Sequence, residues 1–143
     1  MQATVKWVDG VMFLAESGSG HTVVMDGAAD HGGRNLAARP MEMILMGLGG
    51  CTSFDVVSIL KKTRQEVTDC RVELQAQRAD GTPSPFTKIH LHFIVTGIDL
   101  KPAQVERAVN LSATKYCSAS IMLEAAGVKM SHDFEVVDFQ AAI

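Results

Sequence analysis

From Met43 to Phe54 the chain carries no charge, and every residue in the run is apolar or small. Arg39-Pro40 stands just upstream, and proline is tolerated in the first turn of a helix, where its missing N–H has no partner to lose. The pattern predicts a helix opening at Arg39-Pro40 and running to about Arg64. A helix that is apolar all round is buried all round. In a chain of 143 residues that predicts a central helix wrapped by sheet or by a second subunit. The uncharged run is too short to cross a bilayer as a helix, and Glu42 and Asp55 bracket it.

Elsewhere the hydrophobic period is two. Residues 3–8 and 11–16 flank Asp9-Gly10, a pair that accepts the positive φ of a tight hairpin turn, with Trp7 and Phe13 as anchors. Thr22 to Asp26 reads as a third strand, followed by a long Gly- and Ala-rich loop, 27–39, containing His31 and Arg34. Arg71 to Arg78 and Phe86 to Thr96 alternate apolar and polar residues around the turn cluster Asp80 to Pro85, predicting a half-buried hairpin. Pro102 opens a second helical region, with Leu100 and Val105 placed for a hydrophobic staple. That region is expected to break near Asn110–Ser112 and to stop at Gly127. Asp133 to Phe139 is the last strand. The order predicts a single α+β domain, residues 1–143, with antiparallel sheets.

Composition narrows the function. Lys plus Arg number 13 against 16 Asp plus Glu, a formal charge of −3. A nucleic-acid binder needs a clustered basic surface, so this balance argues against one. Met1 to Trp7 shows no basic start followed by an apolar block, so no secretory signal is expected and the chain reads as cytoplasmic. The three cysteines, Cys51, Cys70 and Cys117, are widely spaced and form neither a disulfide framework nor a zinc motif.

Two of them stand in unusual surroundings. Cys51 lies inside Gly47-Leu48-Gly49-Gly50-Cys51-Thr52. Each glycine costs about 1 kcal/mol against alanine in a helix, so another backbone or a ligand is expected close by. The alternative is tight packing around an inert thiol. Cys117 lies in Lys115-Tyr116-Cys117-Ser118, and Cys70 reads as structural. His90 and His92 share one strand face. A metal there would need His31 or His132 to converge on them, so no metal and no cofactor is expected. Gly47-x-Gly49 lies inside a helix and is no dinucleotide fingerprint.

The segment Arg39 to Thr52, Arg-Pro-Met-Glu-Met-Ile-Leu-Met-Gly-Leu-Gly-Gly-Cys-Thr, resembles the first-cysteine helix of the OsmC/Ohr family, the osmotically inducible and organic hydroperoxide resistance proteins. Lys115-Tyr116-Cys117 resembles that family's second-cysteine segment, and the element order matches over nearly the whole chain. The closest likeness is to the branch carrying Pro-Met-Glu and Gly-Gly-Cys-Thr. The resemblance implies an intertwined α+β homodimer built on central long helices. It also implies a thiol peroxidase acting on organic hydroperoxides, with Cys51 peroxidatic, Cys117 resolving and an external dithiol as reductant. Cys51 and Cys117 are then expected within bridging distance, with Cys70 apart.

The sequence departs from the peroxidase pattern at two points. Those members carry Glu directly after the helix-opening proline; here Met41 follows Pro40, and the acid is Glu42. Nine positions at about 100° each put Glu42 roughly opposite Cys51 on the helix. The first hairpin offers Lys6 where a catalytic Arg is expected, leaving Arg34 and Arg39 as stand-ins, of which Arg39 is nearer the helix start. Asp55, one turn after Cys51 on nearly the same face, adds negative charge. The second reading, from a different class, is a dimer that holds a small apolar or thiol-reactive ligand near Cys51 without turnover.

Overall fold

Asp9-Gly10 turns the chain as its sequence predicts. In a computed structural model that describes residues 1–140, Gly10 has φ 55° and joins strands β1 (Ala3–Asp9) and β2 (Met12–Ser17). Trp7 stands opposite Phe13, and its indole N–H donates to the Gly10 carbonyl at 2.8 Å. Strand β3 (Thr22–Met25) completes an antiparallel sheet in the order β1-β2-β3. The loop after β3 is organised by Asp26. Its carboxylate is buried and accepts the backbone N–H groups of Gly27, Leu36 and Arg34 at 2.8, 3.1 and 3.2 Å. Those donors hold the Asp26 carboxyl below the usual carboxylate range, Leu36 most strongly.

The chain divides into two compact units, Met1–Met46 and Gly47–Ile143. Helix α1 (Pro40–Lys62) starts in the first and continues in the second. It ends two residues short of the expected Arg64, which takes the left-handed conformation at φ 58°. Within the second unit, β4 (Glu66–Arg78), β5 (Phe86–Ile98) and β6 (Lys129–Asp138) form a sheet in that order. Ile89, Leu91, Phe93 and Val95 of β5 are its buried row. Leu48, Thr52, Val56 and Leu60 recur every four residues and form the buried stripe of α1. Gly49 lets the helix down onto β4: a Cβ there would stand 2.9 Å from Leu74 Cδ1 and 3.4 Å from Val72 Cγ1.

Two expectations change. The α+β class holds, but the second sheet is mixed, because β5 and β6 run parallel. The crossover between them, helix α2 (Pro102–Leu111), a π-helical turn (Ser112–Tyr116) and helix α3 (Ser118–Ala125), returns the chain to the end from which β5 set out. A parallel pair needs such a crossover; a tight turn would have made it antiparallel. Nor is α1 buried on every side within one chain. Ile44, Met46 and Phe54 are 48, 51 and 73% exposed, and nothing within 4 Å would meet a Cβ at Gly47 or Gly50. By length and composition α1 is the one helix among the described residues able to cross a membrane, yet its Leu48–Leu60 stripe is buried in the second unit's core.

Candidate active site

Cys51 sits mid-helix in α1, one residue before the buried Thr52, and is half-buried itself. Thr52 ties this turn down. Its hydroxyl donates back to the Leu48 and Gly49 carbonyls at 3.2 and 3.1 Å, and its own carbonyl accepts the hydroxyl of Ser112 at 3.0 Å. Ser112 opens the π-helical turn, and its carbonyl accepts the Cys117 N–H at 2.9 Å. That i→i+5 bond takes up one extra residue and turns the chain out of helix at Cys117 (φ −72°, ψ 104°). The α-helix thus gives way at Leu111–Ser112, where the sequence placed the break, and the π-helical turn carries the chain on to Cys117 before it leaves helical geometry.

Cys117 caps α3. Its sulfur accepts the Ser120 backbone N–H at 3.4 Å, a length reasonable for so large an acceptor. Cysteine is not among the usual cap residues, so the spacing Cys117-x-x-Ser120 did not read as a helix start. The thiol is 0% exposed, and the Cys51 thiol is near enough to act on it electrostatically. Burial pushes the Cys117 thiol up, the Ser120 hydroxyl and amide pull it back, and the neighbouring Cys51 pushes it up again. The structure thus brings together two thiols 66 positions apart in sequence, one half-exposed and one enclosed.

The third cysteine is placed differently. Cys70 is on β4 beside Val95 of β5; burial pushes its thiol up, Asp69 adds to that, and the nearby Ser53 side chain pulls it back. Among the described residues it is paired with neither of the other two. Asp55, one helical turn beyond Cys51, has Oδ2 buried with no hydrogen-bond partner among the described residues.

Glu42 has another task than the thiol. Its carboxylate accepts the Arg39 backbone N–H at 2.8 Å, which is the back-bonding half of a capping box. The signal was present in the spacing Arg39-x-x-Glu42, hidden because Arg39 itself cannot serve as the side-chain cap. Arg39 is exposed at the entrance to α1 and makes no salt bridge among the described residues. Arg34 pairs with Asp9 at 3.5 Å. His90 and His92 meet neither His31 nor His132. Both face Asp133 Oδ1, at 3.4 and 2.5 Å, while His132 bonds Asn110 at 2.8 Å.

With the site described, the likeness to known proteins is specific. The profile of the OsmC-like protein family matches residues 31–133. Protein YhfA of Escherichia coli (strain K12) is 57% identical over 137 residues, 96% of this chain and 98% of that protein. A hypothetical protein of Aquifex aeolicus VF5, 27% identical, superposes with a TM-score of 0.84 over 97% of both chains. The organic hydroperoxide resistance protein OhrB of Bacillus subtilis, 20% identical, has a TM-score of 0.61 over 94% of this chain and 98% of its own, and shares the fold.

Proposed function

Because the chain belongs to the OsmC-like protein family, we propose that it is a cysteine-based thiol peroxidase that reduces organic hydroperoxides in oxidative or osmotic stress. The observation that supports this reading is that the half-buried Cys51 thiol is near enough to act on the enclosed Cys117 thiol. Cys51 is the half-exposed one and is assigned the peroxidatic role. Its thiolate attacks the distal oxygen of the hydroperoxide; the O–O bond breaks, and the leaving alkoxide takes a proton to become an alcohol. Cys51 is left as a sulfenic acid. Cys117, enclosed beside it, attacks that sulfur; the S–S bond forms and hydroxide leaves as water with the thiol's proton. An external dithiol then reduces the disulfide by two exchange steps.

The family resemblance calls for a cation beside the reactive thiol, and Arg39, at the entrance to α1, is the candidate the sequence offers. The working unit is a cytoplasmic homodimer, an assignment supported by the exposure of Ile44, Met46 and Phe54 on a helix otherwise suited to burial. Neither a metal nor an organic cofactor has a part in this chemistry.

The test is oxidation with one equivalent of cumene hydroperoxide, followed by blocking of free thiols and peptide mapping. A Cys51–Cys117 disulfide with Cys70 alkylated is the expected result. Both thiols left free would refute the two-cysteine mechanism and favour a dimer that binds a small apolar or thiol-reactive ligand near Cys51.

A further inference from the structure

We propose that Ser120 is the residue that makes Cys117 a competent nucleophile, by supplying two hydrogen-bond donors to its sulfur in place of water. The inference rests on the resolving role assigned to Cys117.

A thiol attacks as its thiolate. Cys117 is 0% exposed, so no water solvates the charge when its proton leaves. Burying a charge without compensating partners is costly, and burial is the foremost effect on this thiol. The compensation has to come from the protein, and the fold aims one residue at the sulfur. The Ser120 N–H already donates to Sγ at 3.4 Å. The Ser120 hydroxyl is enclosed too, the residue being 2% exposed. At rest it lacks a full hydrogen bond to any atom of the described residues, yet it lies where it favours the ionised sulfur. Buried hydroxyls are almost always paired. One left idle beside a nucleophile has its use in the ionised state, when sulfur becomes a strong acceptor.

The backbone explains why this residue and no other. In a continuous helix the Ser120 N–H would be spent on the Tyr116 carbonyl. The π-helical turn Ser112–Tyr116 and the extended Cys117 end that ladder, so the first N–H groups of α3 lack carbonyl partners and point toward the cap. The same break places Cys117 at the cap of α3, where the Cys51 thiol also acts on it. Positioning and activation of the resolving thiol thus come from one local feature.

The experiment separates this step from any peroxide chemistry. A Cys70→Ser background keeps the third thiol out of the count, and dithiobis(nitrobenzoate) is the probe. The Cys51 thiolate attacks the reagent, forming a mixed disulfide and releasing one thionitrobenzoate. The Cys117 thiolate then attacks the Cys51 sulfur, closing the protein disulfide and releasing the second, while its proton goes to the buffer. Ser120→Ala is expected to slow the second release about tenfold near neutral pH, as one pKa unit of thiol ionisation would, with the first release unchanged. The gap should close at alkaline pH, and Ser120→Thr should restore the rate. Cys117→Ser should abolish the second release.

A second release within twofold of the parent in both Ser120→Ala and Ser120→Gly overturns the proposal. So does equal slowing of both releases. Methyl methanethiosulfonate, a smaller probe read by mass, reports the same closure as loss of the Cys51 adduct. Failure of cumene hydroperoxide to oxidise Cys51 would sink the peroxidase reading and leave this result standing.

Discussion

The hydroxyl of Ser112 reaches across from the π-helical turn to the Thr52 carbonyl, 3.0 Å away and 60 positions earlier in the chain. Both residues are fully buried. Thr52 follows Cys51, and the Ser112 carbonyl holds the Cys117 amide at 2.9 Å. A frame of two hydrogen bonds therefore joins the neighbourhoods of the two thiols.

Ser112→Ala removes the cross-link and adds no bulk. Loss of one buried hydrogen bond should cost about 1 kcal/mol, read as a lower urea midpoint at unchanged slope. The Cys51–Cys117 disulfide should also close more slowly under mild oxidation. An unchanged closure rate would show that the π-helical turn needs no tether to α1.

Gly49 and Gly50 are neighbours with opposite expectations. Alanine is favoured over glycine in a helix by about 1 kcal/mol. At Gly49 the added Cβ would meet Leu74 Cδ1 at 2.9 Å, so Gly49→Ala should gain little and Gly49→Val should destabilise by about 1–3 kcal/mol. At Gly50 nothing lies within 4 Å. A Gly50→Ala change should stabilise an isolated chain, and urea unfolding of the two variants side by side reads the difference.

Phe54, 73% exposed on α1, should be covered by the second subunit of the proposed homodimer. Light scattering at micromolar concentration should find a dimer in the parent and dissociation in Phe54→Glu. A folded monomeric parent would rule the homodimer out.

Asp26 should make stability fall in acid. Its folded pKa is lowered, so its contribution is present above the unfolded value of about 3.9. That contribution is lost as pH drops through the folded value. Asp26→Asn should flatten the acid limb of the urea-midpoint profile and expose residues 27–36 to limited proteolysis.

His92 and Asp133 carry a second pH dependence, with Glu135, Glu73 and His90 as the other facing groups. The Asp133 hydrogen bond raises His92, and His92 in turn lowers Asp133. The His92 contribution is fully present below about 6.5 and is lost as pH rises through its raised folded value. The Asp133 contribution is present above about 3.9 and is lost as pH falls through its lowered one. The tie between β5 and β6 is thus strongest between those limits. Both groups are partly exposed, so salt should weaken it. An NMR titration should return His92 toward its ordinary value in Asp133→Asn; an unmoved His92 would exclude the tie.

Local rules account for what the sequence determined alone. Period-two patterning set the strands, Asp9-Gly10 the first turn, Pro40 and Pro102 the helix starts, and the small-residue setting of Cys51 marked α1 as the element to watch. Each is a property of a few consecutive residues. Other features depend on partners far along the chain. The start of β4 at Glu66 is masked by polar Thr68 and Asp69 and appears only against β5. The parallel β5–β6 pairing follows from where the α2–α3 crossover delivers the chain. The Glu42 back-bond, the cap formed by Cys117 and the idle Ser120 hydroxyl depend on backbone geometry at a helix end. The apolarity of α1 was legible, but which side it buries was not, because one face meets β4 through Gly49 and the other stays open in the single chain. The family resemblance implied that Cys117 would approach Cys51, but only the tertiary structure gives the physical reason: an approach across 66 residues depends on a π-helical turn and a Ser112–Thr52 bond that no local pattern encodes.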